Sequence, residues 1–350
     1  MSWDKVPVDL SDLRVLPEDN TLAGNRLITY RQAIHEAFAI ALKQDPKVFL
    51  FGEGIDDPAG VFGTTLNLHK QFSKDRVFDT PICENTLTGI AIGASLAGMR
   101  PVLIHMRTDF LLVSMDQIIN HAAKWKYMFG GKVNLPIVIR AIIGGGWGSA
   151  AQHSQPIQAI FAHIPGLRVV MPSTAYDAKG LLLSSIACPD PVMFIDHRWL
   201  FDYKDYVPEE AYLVPLGKPV LRRQGKDVTV ITSSFMTAIA LEAGKKLQDE
   251  GIDIEIVDLR TVKPIDAELI FSSVKKTKKA IVLDFGYAFC GISAEISSMI
   301  TENCFSFLAR PVERIALADV PTPASHVLEK EFYPNLENII CKIRKIAKGG

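Results

Sequence analysis

Short apolar runs alternate with helical patterns along most of this chain, and that alternation constrains the fold more than any other feature. Val48–Phe51 is a continuous apolar run that ends in Gly52, which is typical of a buried parallel strand. It follows a helical pattern that Thr29 and Gln32 open as a capping box and Pro46 closes. Strands and helices at this spacing predict a parallel sheet with helices on both faces.

The same alternation continues along the chain and breaks once. Further strands are predicted at Arg76–Phe78, Pro101–Met106, Pro136–Ile142, Leu167–Met171, Pro191–Ile195, Val228–Ile231, Ile254–Val257, Ala280–Leu283 and Val312–Ala316. Further helices are predicted at Thr86–Ala97, Ser114–Met128, Pro156–His163, Ala175–Ile186, Ala238–Gln248, Ala267–Val274, Ser293–Ile300 and Leu336–Ile346. The stretch from Leu200 to Pro219 is rich in proline, aromatic and charged residues and lacks the pattern. We therefore predict an N-terminal arm at 1–24, α/β domains at 25–205 and 219–345, and a linker at 206–218.

Composition excludes several classes of protein. Among 350 residues, 38 Lys and Arg balance 39 Asp and Glu, so no strong field favours nucleic acid or an anionic membrane. The longest stretch without Asp, Glu, Lys or Arg, Ala141–Leu167, is interrupted by Gly, Gln, Ser, His and Pro, which argues against a membrane span. Five cysteines without a C-x-x-C pair make a disulfide framework or a cysteine-rich zinc site improbable. The acidic N-terminus resembles neither a secretory signal nor a transit peptide, so a soluble, cytoplasmic chain is expected.

Common nucleotide and hydrolase motifs are missing from the sequence. There is no G-x-x-x-x-G-K-[ST] loop, no H-E-x-x-H pair and no G-x-S-x-G elbow. The cluster Gly144–Gly148 fails G-x-G-x-x-G because Ser149 replaces the last glycine. Those glycines either let the backbone approach another group closely or turn the chain after a strand. No metal site is predicted in this chain.

Three segments place unusual residues after predicted strands, where ligands bind in open α/β sheets. The first ends in Glu84 and leads into a helix rich in Gly and Ala. A carboxylate at that turn would be partly desolvated, as an acid–base group requires, although it could equally serve only as a favourable helix N-terminal charge. The second, His105–Phe110, combines ionisable residues with an aromatic face, or else contains a core phenylalanine and a surface arginine. In the third, Ser154 is expected to cap a helix that Pro156 helps to start, and His153 is expected to face the sheet edge.

Ordered motifs cover nearly the whole chain, from about Leu27 to Ile346. They are Arg76–Glu84, Met115–Lys124, Gly130–Gly131, Gln152–Gln155, Pro165–Pro172, Asp177–Gly180, Pro215–Lys218, Asp258–Thr261 and Asp319–Pro323. In this order and spacing they resemble the beta subunit of the thiamine diphosphate-dependent first component of 2-oxo acid dehydrogenases, of which pyruvate dehydrogenase is the best-known member. The resemblance implies the pyrimidine-binding and C-terminal domains of the transketolase-like superfamily.

The resemblance also implies roles for individual residues. Glu84 corresponds to the family's glutamate that bonds the aminopyrimidine ring of the cofactor, and Phe110 corresponds to the aromatic residue that stacks on that ring. His153 corresponds to the histidine that handles protons during acyl transfer. Ile82 and Arg107 are assigned to the same cofactor site, and Glu84 and His153 are the expected catalytic residues.

One missing motif indicates a partner. Single-chain relatives carry a Gly-Asp-Gly segment that holds Mg²⁺ and the diphosphate, and this sequence has none. The resemblance therefore implies an alpha subunit that completes the site in an α₂β₂ heterotetramer. It further implies oxidative decarboxylation of a 2-oxo acid, with pyruvate favoured, and acyl transfer to lipoamide, with a lipoyl acyltransferase core as a further partner.

Departures from the family pattern leave alternatives open. Ile104 and Arg107 stand near positions where relatives have a glutamate and an aromatic residue. Arg107 could attract a phosphorylated substrate or face solvent, which keeps open a two-chain transketolase-like or acetoin-cleaving enzyme. A non-catalytic scaffold is the third interpretation, and the joint presence of Glu84, Phe110 and His153 argues against it.

Overall fold

The computed structural model describes residues 25–146 and 148–349, and the predicted arm at 1–24 lies outside them. Its strands are β1 (Asn25–Thr29), β2 (Val48–Gly52), β3 (Val77–Asp79), β4 (Arg100–Ile104), β5 (Val138–Ile143), β6 (Arg168–Val170), β7 (Val192–His197), β8 (Lys204–Pro208), β9 (Val220–Arg223), β10 (Val228–Thr232), β11 (Ile254–Asp258), β12 (Thr261–Lys263), β13 (Ala280–Tyr287) and β14 (Glu313–Leu317). Its α-helices are α1 (Tyr30–Gln44), α2 (Leu68–Phe72), α3 (Glu84–Leu96), α4 (Trp125–Met128), α5 (Gln158–His163), α6 (Ala175–Ala187), α7 (Phe235–Asp249), α8 (Glu268–Thr277), α9 (Ile292–Cys304), α10 (His326–Phe332) and α11 (Leu336–Lys348). None of these helices is long and apolar enough to cross a membrane.

These elements form two compact units. The N-terminal unit contains the described residues up to 143 together with 160–216. The C-terminal unit contains 217–349 together with the segment 144–159, apart from residue 147. The segment that contains His153 thus packs with the C-terminal unit, although it precedes residues 160–216 in sequence.

A parallel sheet organises the N-terminal unit, with the strand order β6-β7-β5-β4-β2-β3. Its central strands are buried on both faces, as the continuous apolar runs predict. Gly52 at the end of β2 lies opposite Asp79 of β3 and Ile104 of β4. Residues that follow these three strands therefore emerge along one edge of the sheet.

The start of α1 confirms a detail of the sequence analysis. Thr29 accepts a hydrogen bond from the Gln32 amide, and the Gln32 side chain accepts one from the Thr29 amide, which makes the predicted capping box. Just before it, β1 pairs antiparallel with β8, and Asn25 lies opposite Pro208. The predicted linker therefore begins inside a strand, because backbone pairing with β1 supplies the order that its own side-chain pattern lacks.

One predicted helix is replaced by irregular helical turns. Instead of a helix over Ser114–Met128, the chain forms a 3₁₀ turn (Thr108–Ser114), a π-helical turn (Asp116–Ala122) and the short α4. Both irregular turns pack against α3. A Cβ on Gly89 of α3 would lie 3.5 Å from the Gln117 side chain. Tertiary packing at this close approach prevails over the helical periodicity of the sequence.

The C-terminal unit contains a second sheet, with the strand order β14-β13-β10-β11-β9. Its strands are parallel except β9, which pairs antiparallel with β11. Helix α7 packs against α11, and α8 packs against α9. Together, the two sheets confirm the predicted α/β fold class.

Candidate functional site

Glu84 lies where the sequence analysis placed it, at the turn from β3 into α3. The turn is fixed from its start, because the Thr80 amide donates to the Gly52 carbonyl at 3.0 Å. Glu84 is the first residue of α3, where the helix dipole favours a negative charge. Its side chain is 8% exposed, so the predicted desolvation is confirmed.

The Glu84 carboxylate is notable for what it does not bind. Its backbone carbonyl accepts a hydrogen bond from the Thr88 hydroxyl at 2.8 Å. Within residues 25–146 and 148–349, its carboxylate has neither a hydrogen-bond partner nor an ion-pair partner. The side chain is largely buried, but its carboxylate oxygens are not fully enclosed by protein and remain accessible. A group with a ring nitrogen or an amino group could therefore reach the carboxylate and bond to it.

Phe110 and Ile82 frame Glu84 in the N-terminal unit. Phe110 is half-buried in the 3₁₀ turn Thr108–Ser114, which packs against α3, the helix that Glu84 opens. Ile82 precedes α3 and is 77% exposed, which is unusual for a large apolar side chain. The structure therefore brings together the elements that carry Glu84, Ile82 and Phe110.

Arg107 is buried, so the interpretation of it as a solvent-facing residue is wrong. It is 6% exposed, immediately before the turn that carries Phe110. Its charge acts on His197 at the end of β7. Burial lowers the pKa of His197 well below its usual value, and the charges of Arg198 and Arg107 lower it further. His197 is therefore a neutral imidazole at neutral pH.

A second buried acid beside this edge was missed in the sequence analysis. Glu53 directly follows β2, and His105 directly follows β4. The His105 Nδ1 lies 3.5 Å from the Glu53 Oε1, and both side chains are buried without a hydrogen bond at these atoms. The available signal was that Glu53 follows the glycine that ends a buried strand, as Glu84 follows the next strand.

His153 is an exposed residue of the C-terminal unit. The expectation that Ser154 caps a helix beginning near Pro156 is wrong, because α5 begins only at Gln158. Ser154 is instead buried and lies beside the Tyr333 hydroxyl.

The glycine cluster Gly144–Gly148 both turns the chain after a strand and lets the backbone approach other groups closely, as its two interpretations predicted. Gly144, Gly146 and Gly148 have positive φ angles of 99°, 116° and 67°, which turn the chain after β5. Gly145 lies close to side chains of the C-terminal unit.

No group of three or more His, Cys, Asp or Glu side chains in the described part of the chain is arranged to hold a metal ion. Asp190, at the turn between α6 and β7, accepts hydrogen bonds from Lys126 at 2.5 Å and Arg168 at 2.8 Å. Cationic side chains therefore surround that carboxylate.

Comparison with known families identifies both domains. Residues 26–202 match the transketolase pyrimidine-binding domain, and residues 217–339 match the transketolase C-terminal domain. A solved structure described as a split-gene transketolase, an inactive beta4 tetramer, superposes with a TM-score of 0.73 over 92% of this chain and 98% of its own, at 22% identity. That likeness supports the fold.

Several curated relatives extend over nearly the whole chain. The beta subunit of acetoin:2,6-dichlorophenolindophenol oxidoreductase from Cupriavidus necator is 42% identical over 93% of this chain and 99% of its own length. The mitochondrial pyruvate dehydrogenase E1 subunit beta-1 of Arabidopsis thaliana is 42% identical over 91% of this chain and 89% of its own. The 2-oxoisovalerate dehydrogenase subunit beta of Bacillus subtilis is 39% identical over 92% of this chain and 99% of its own length.

Proposed function

Because the chain belongs to the family of transketolase-type beta subunits found in 2-oxo acid dehydrogenases and acetoin oxidoreductases, we propose that it is the beta subunit of a thiamine diphosphate-dependent 2-oxo acid dehydrogenase acting on pyruvate. The observation that carries the proposal is the largely buried Glu84 side chain at the start of α3, whose carboxylate lacks a partner among the described residues. It is the kind of group that an aminopyrimidine ring would bond.

The residues around Glu84 suit such a ring. The carboxylate can accept or hold a proton at a ring nitrogen, and a bound ring would shield that interaction from water and so strengthen it. Phe110 is half-buried nearby and offers an aromatic face, and the exposed Ile82 offers apolar contact. When bound, thiamine diphosphate supplies the thiazolium carbon that stabilises the carbanion left by decarboxylation. Glu84 holds the proton that this chemistry moves, and Phe110 and Ile82 orient the ring.

His153 and Arg107 complete the proposed roles. An exposed imidazole on the glycine-rich segment suits proton handling as the acyl group passes to lipoamide. Arg107 is a buried cation three residues after β4 and suits attraction of an anionic group of the cofactor or substrate.

The diphosphate and its Mg²⁺ require a second chain in this proposal. The sequence lacks a Gly-Asp-Gly segment, and the described residues contain no ready metal ligand set. We place these ligands on an alpha subunit in an α₂β₂ heterotetramer, which would pass its product to a lipoyl acyltransferase. Pulling this chain from its native cells and identifying stoichiometric partners by mass spectrometry tests that assembly. Recovery of this chain alone would contradict it.

The activity is tested with this chain co-purified with its alpha subunit. We expect thiamine diphosphate-dependent release of CO₂ from pyruvate, and its loss in an assembled Glu84→Gln variant. The matched control is Glu295→Gln, which removes an exposed carboxylate from the first turn of α9. Full activity of the Glu84→Gln enzyme would contradict the role of Glu84 and favour a scaffold.

An acetoin-cleaving enzyme is the second candidate. It is favoured by the acetoin oxidoreductase beta subunits of Cupriavidus necator and Bacillus subtilis, which match this chain at 42% and 40% identity. The same Glu84 would serve it. Comparison of kcat/KM for pyruvate, 2-oxoisovalerate and acetoin on one preparation decides between the two, and a preference for acetoin would replace the first proposal.

A further inference from the structure

The glycine-rich segment before His153 is attached to helix α10. The Gly146 amide donates a hydrogen bond to the Glu329 Oε1 at 3.0 Å, and the contact is buried. A Cβ on Gly145 would lie 2.5 Å from that same oxygen and 2.4 Å from the Tyr333 hydroxyl. The absence of a side chain at Gly145 is therefore what lets Glu329 reach the backbone.

The acceptor in this contact is itself held in place. Glu329 is only 9% exposed, and a carboxylate that accepts from a backbone amide in a buried site makes one of the stronger hydrogen bonds. One turn further along, Tyr333 stacks on Phe285 with ring centroids 5.1 Å apart and planes 10° from parallel. Phe285 belongs to β13, so the end of α10 is anchored on the sheet of the C-terminal unit.

The other end of the segment has an anchor on the same strand. The Gln158 side-chain amide donates to the Asp284 Oδ1 at 3.3 Å, and Asp284 is itself fixed by the Gly286 and Ser293 amides at 2.8 and 3.0 Å. Burial raises the pKa of Asp284, and these amides oppose the shift. His153 lies between the two anchors and is exposed.

We propose that Glu329 is the positioning residue of the His153 segment, acting through the Gly146 amide. Glu329 fixes the segment before His153, and Asp284 fixes it after His153. The exposed histidine is therefore carried by a backbone that is held at both ends. Such support of a reacting group by surrounding contacts sustains turnover because a small displacement of that group is costly. The consequence for turnover rests on the proposed function, whereas the hold on the segment does not.

The first measurement is hydrogen exchange of the Gly146 amide, resolved by mass spectrometry, in the chain assembled with its alpha subunit. Glu329→Ala is expected to speed that exchange at least tenfold. Glu329→Gln keeps an acceptor oxygen and is expected to restore more than half of the protection on a logarithmic scale. Glu331→Gln changes an exposed carboxylate of the same helix and is expected to change nothing. Gly145→Ala, which keeps Glu329 but displaces it, is expected to reproduce the Glu329→Ala result.

The second measurement is steady-state kinetics on the same preparations. We expect kcat to fall at least tenfold in Glu329→Ala with KM for the 2-oxo acid within twofold of the parent, and Glu329→Gln to recover most of the rate. Unchanged Gly146 exchange in both Glu329→Ala and Gly145→Ala would overturn the proposal, and so would faster exchange with an unchanged kcat. If the parent enzyme turns over none of the 2-oxo acids or acetoin, the proposed function fails, and the exchange data alone decide whether Glu329 holds the segment.

Discussion

Asp196 and Glu84 are two largely buried acids of the N-terminal unit, and they differ in whether the protein itself provides partners for the carboxylate. Asp196 in β7 is fully buried and accepts hydrogen bonds from the Arg140 guanidinium at 2.5 Å and the Tyr30 hydroxyl at 2.8 Å. Arg140 also donates to the Thr64 hydroxyl at 2.9 Å. The Glu84 side chain is 8% exposed, and its carboxylate has no such partner in the described chain.

This difference in partners suggests which acid serves stability and which is available for function. The buried ion pair between Arg140 and Asp196, with the Tyr30 hydroxyl, holds β7, β5 and α1 together, because removing one partner leaves the other charge uncompensated. The Glu84 carboxylate makes no comparable contribution within the described residues. The same unit therefore contains one acid that the fold uses and one that the proposed function assigns to a ligand.

The comparison predicts its largest effect for Glu84→Gln. Loss of the group that holds a proton on the cofactor ring is expected to lower kcat by about 10²- to 10⁴-fold. The free energy of unfolding is expected to fall by no more than about 1 kcal/mol, because the carboxylate has no partner among the described residues and only its interaction with the helix dipole is lost. Turnover and denaturant unfolding of the same preparation check both parts. A variant that loses stability on the scale of an Asp196 substitution would show that Glu84 has a structural partner after all.

Asp196→Asn is expected to have its main effect on stability, whereas Glu84→Gln mainly affects turnover. It leaves the fully buried Arg140 without its counter-charge, which costs about 3–5 kcal/mol of unfolding free energy. Tyr30→Phe is the matched control, because it removes one hydrogen bond to the same carboxylate and is expected to cost about 1 kcal/mol. Equal losses in the two variants, measured by denaturant unfolding, would mean that the ion pair adds little beyond that hydrogen bond.

Asp190→Asn tests a paired acid nearer the surface and is expected to have the smallest effect. Burial alone would raise the pKa of Asp190, but the hydrogen bonds and charges of Lys126 and Arg168 prevail and lower it. A lowered carboxyl pKa stabilises the fold above the ordinary aspartate value and loses that contribution as pH falls through the folded-state pKa. Since Lys126 and Arg168 are partly exposed, we expect a loss of about 0.5–1 kcal/mol at pH 7.

The difference between Asp190→Asn and the parent should shrink as pH falls below about 4, near the ordinary aspartate pKa. Melting temperatures of the two proteins between pH 3 and pH 7 measure it. A difference that stays constant across that range would mean that the charge of Asp190 is not what matters.

Local signals in the sequence account for much of the fold. Val48–Phe51 was predicted as a strand because a parallel strand buried on both faces is apolar throughout, and Thr29 was predicted as a cap because a capping box is local chemistry. Glu84 could be singled out from the strand-to-helix turn that carries it. Its role as a cofactor ligand came from the family resemblance.

Features that depend on distant partners escaped prediction. Strand β8 is ordered by β1, which lies far away in sequence, and the helix predicted over Ser114–Met128 yields to packing against α3. Glu329 carries no local signal, because it gains its importance from Gly146, a neighbour that only the fold supplies. The strand-end position of Glu53 was a signal, but its neighbour His105 also comes from the fold. Hydrophobic periodicity indicates which face of a helix or strand is buried, but it does not identify the polar group from another element that contacts that face.

The grouping of residues 144–159 with the C-terminal unit has a consequence for how the chain is made. On the ribosome this segment emerges well before β13 and α10, which supply Asp284 and Glu329. Neither anchor can form until synthesis is nearly complete, however early the parallel sheet closes. A gene split between the two family domains would also separate the segment from its anchors. Parts made separately would have to associate before this segment acquired either anchor.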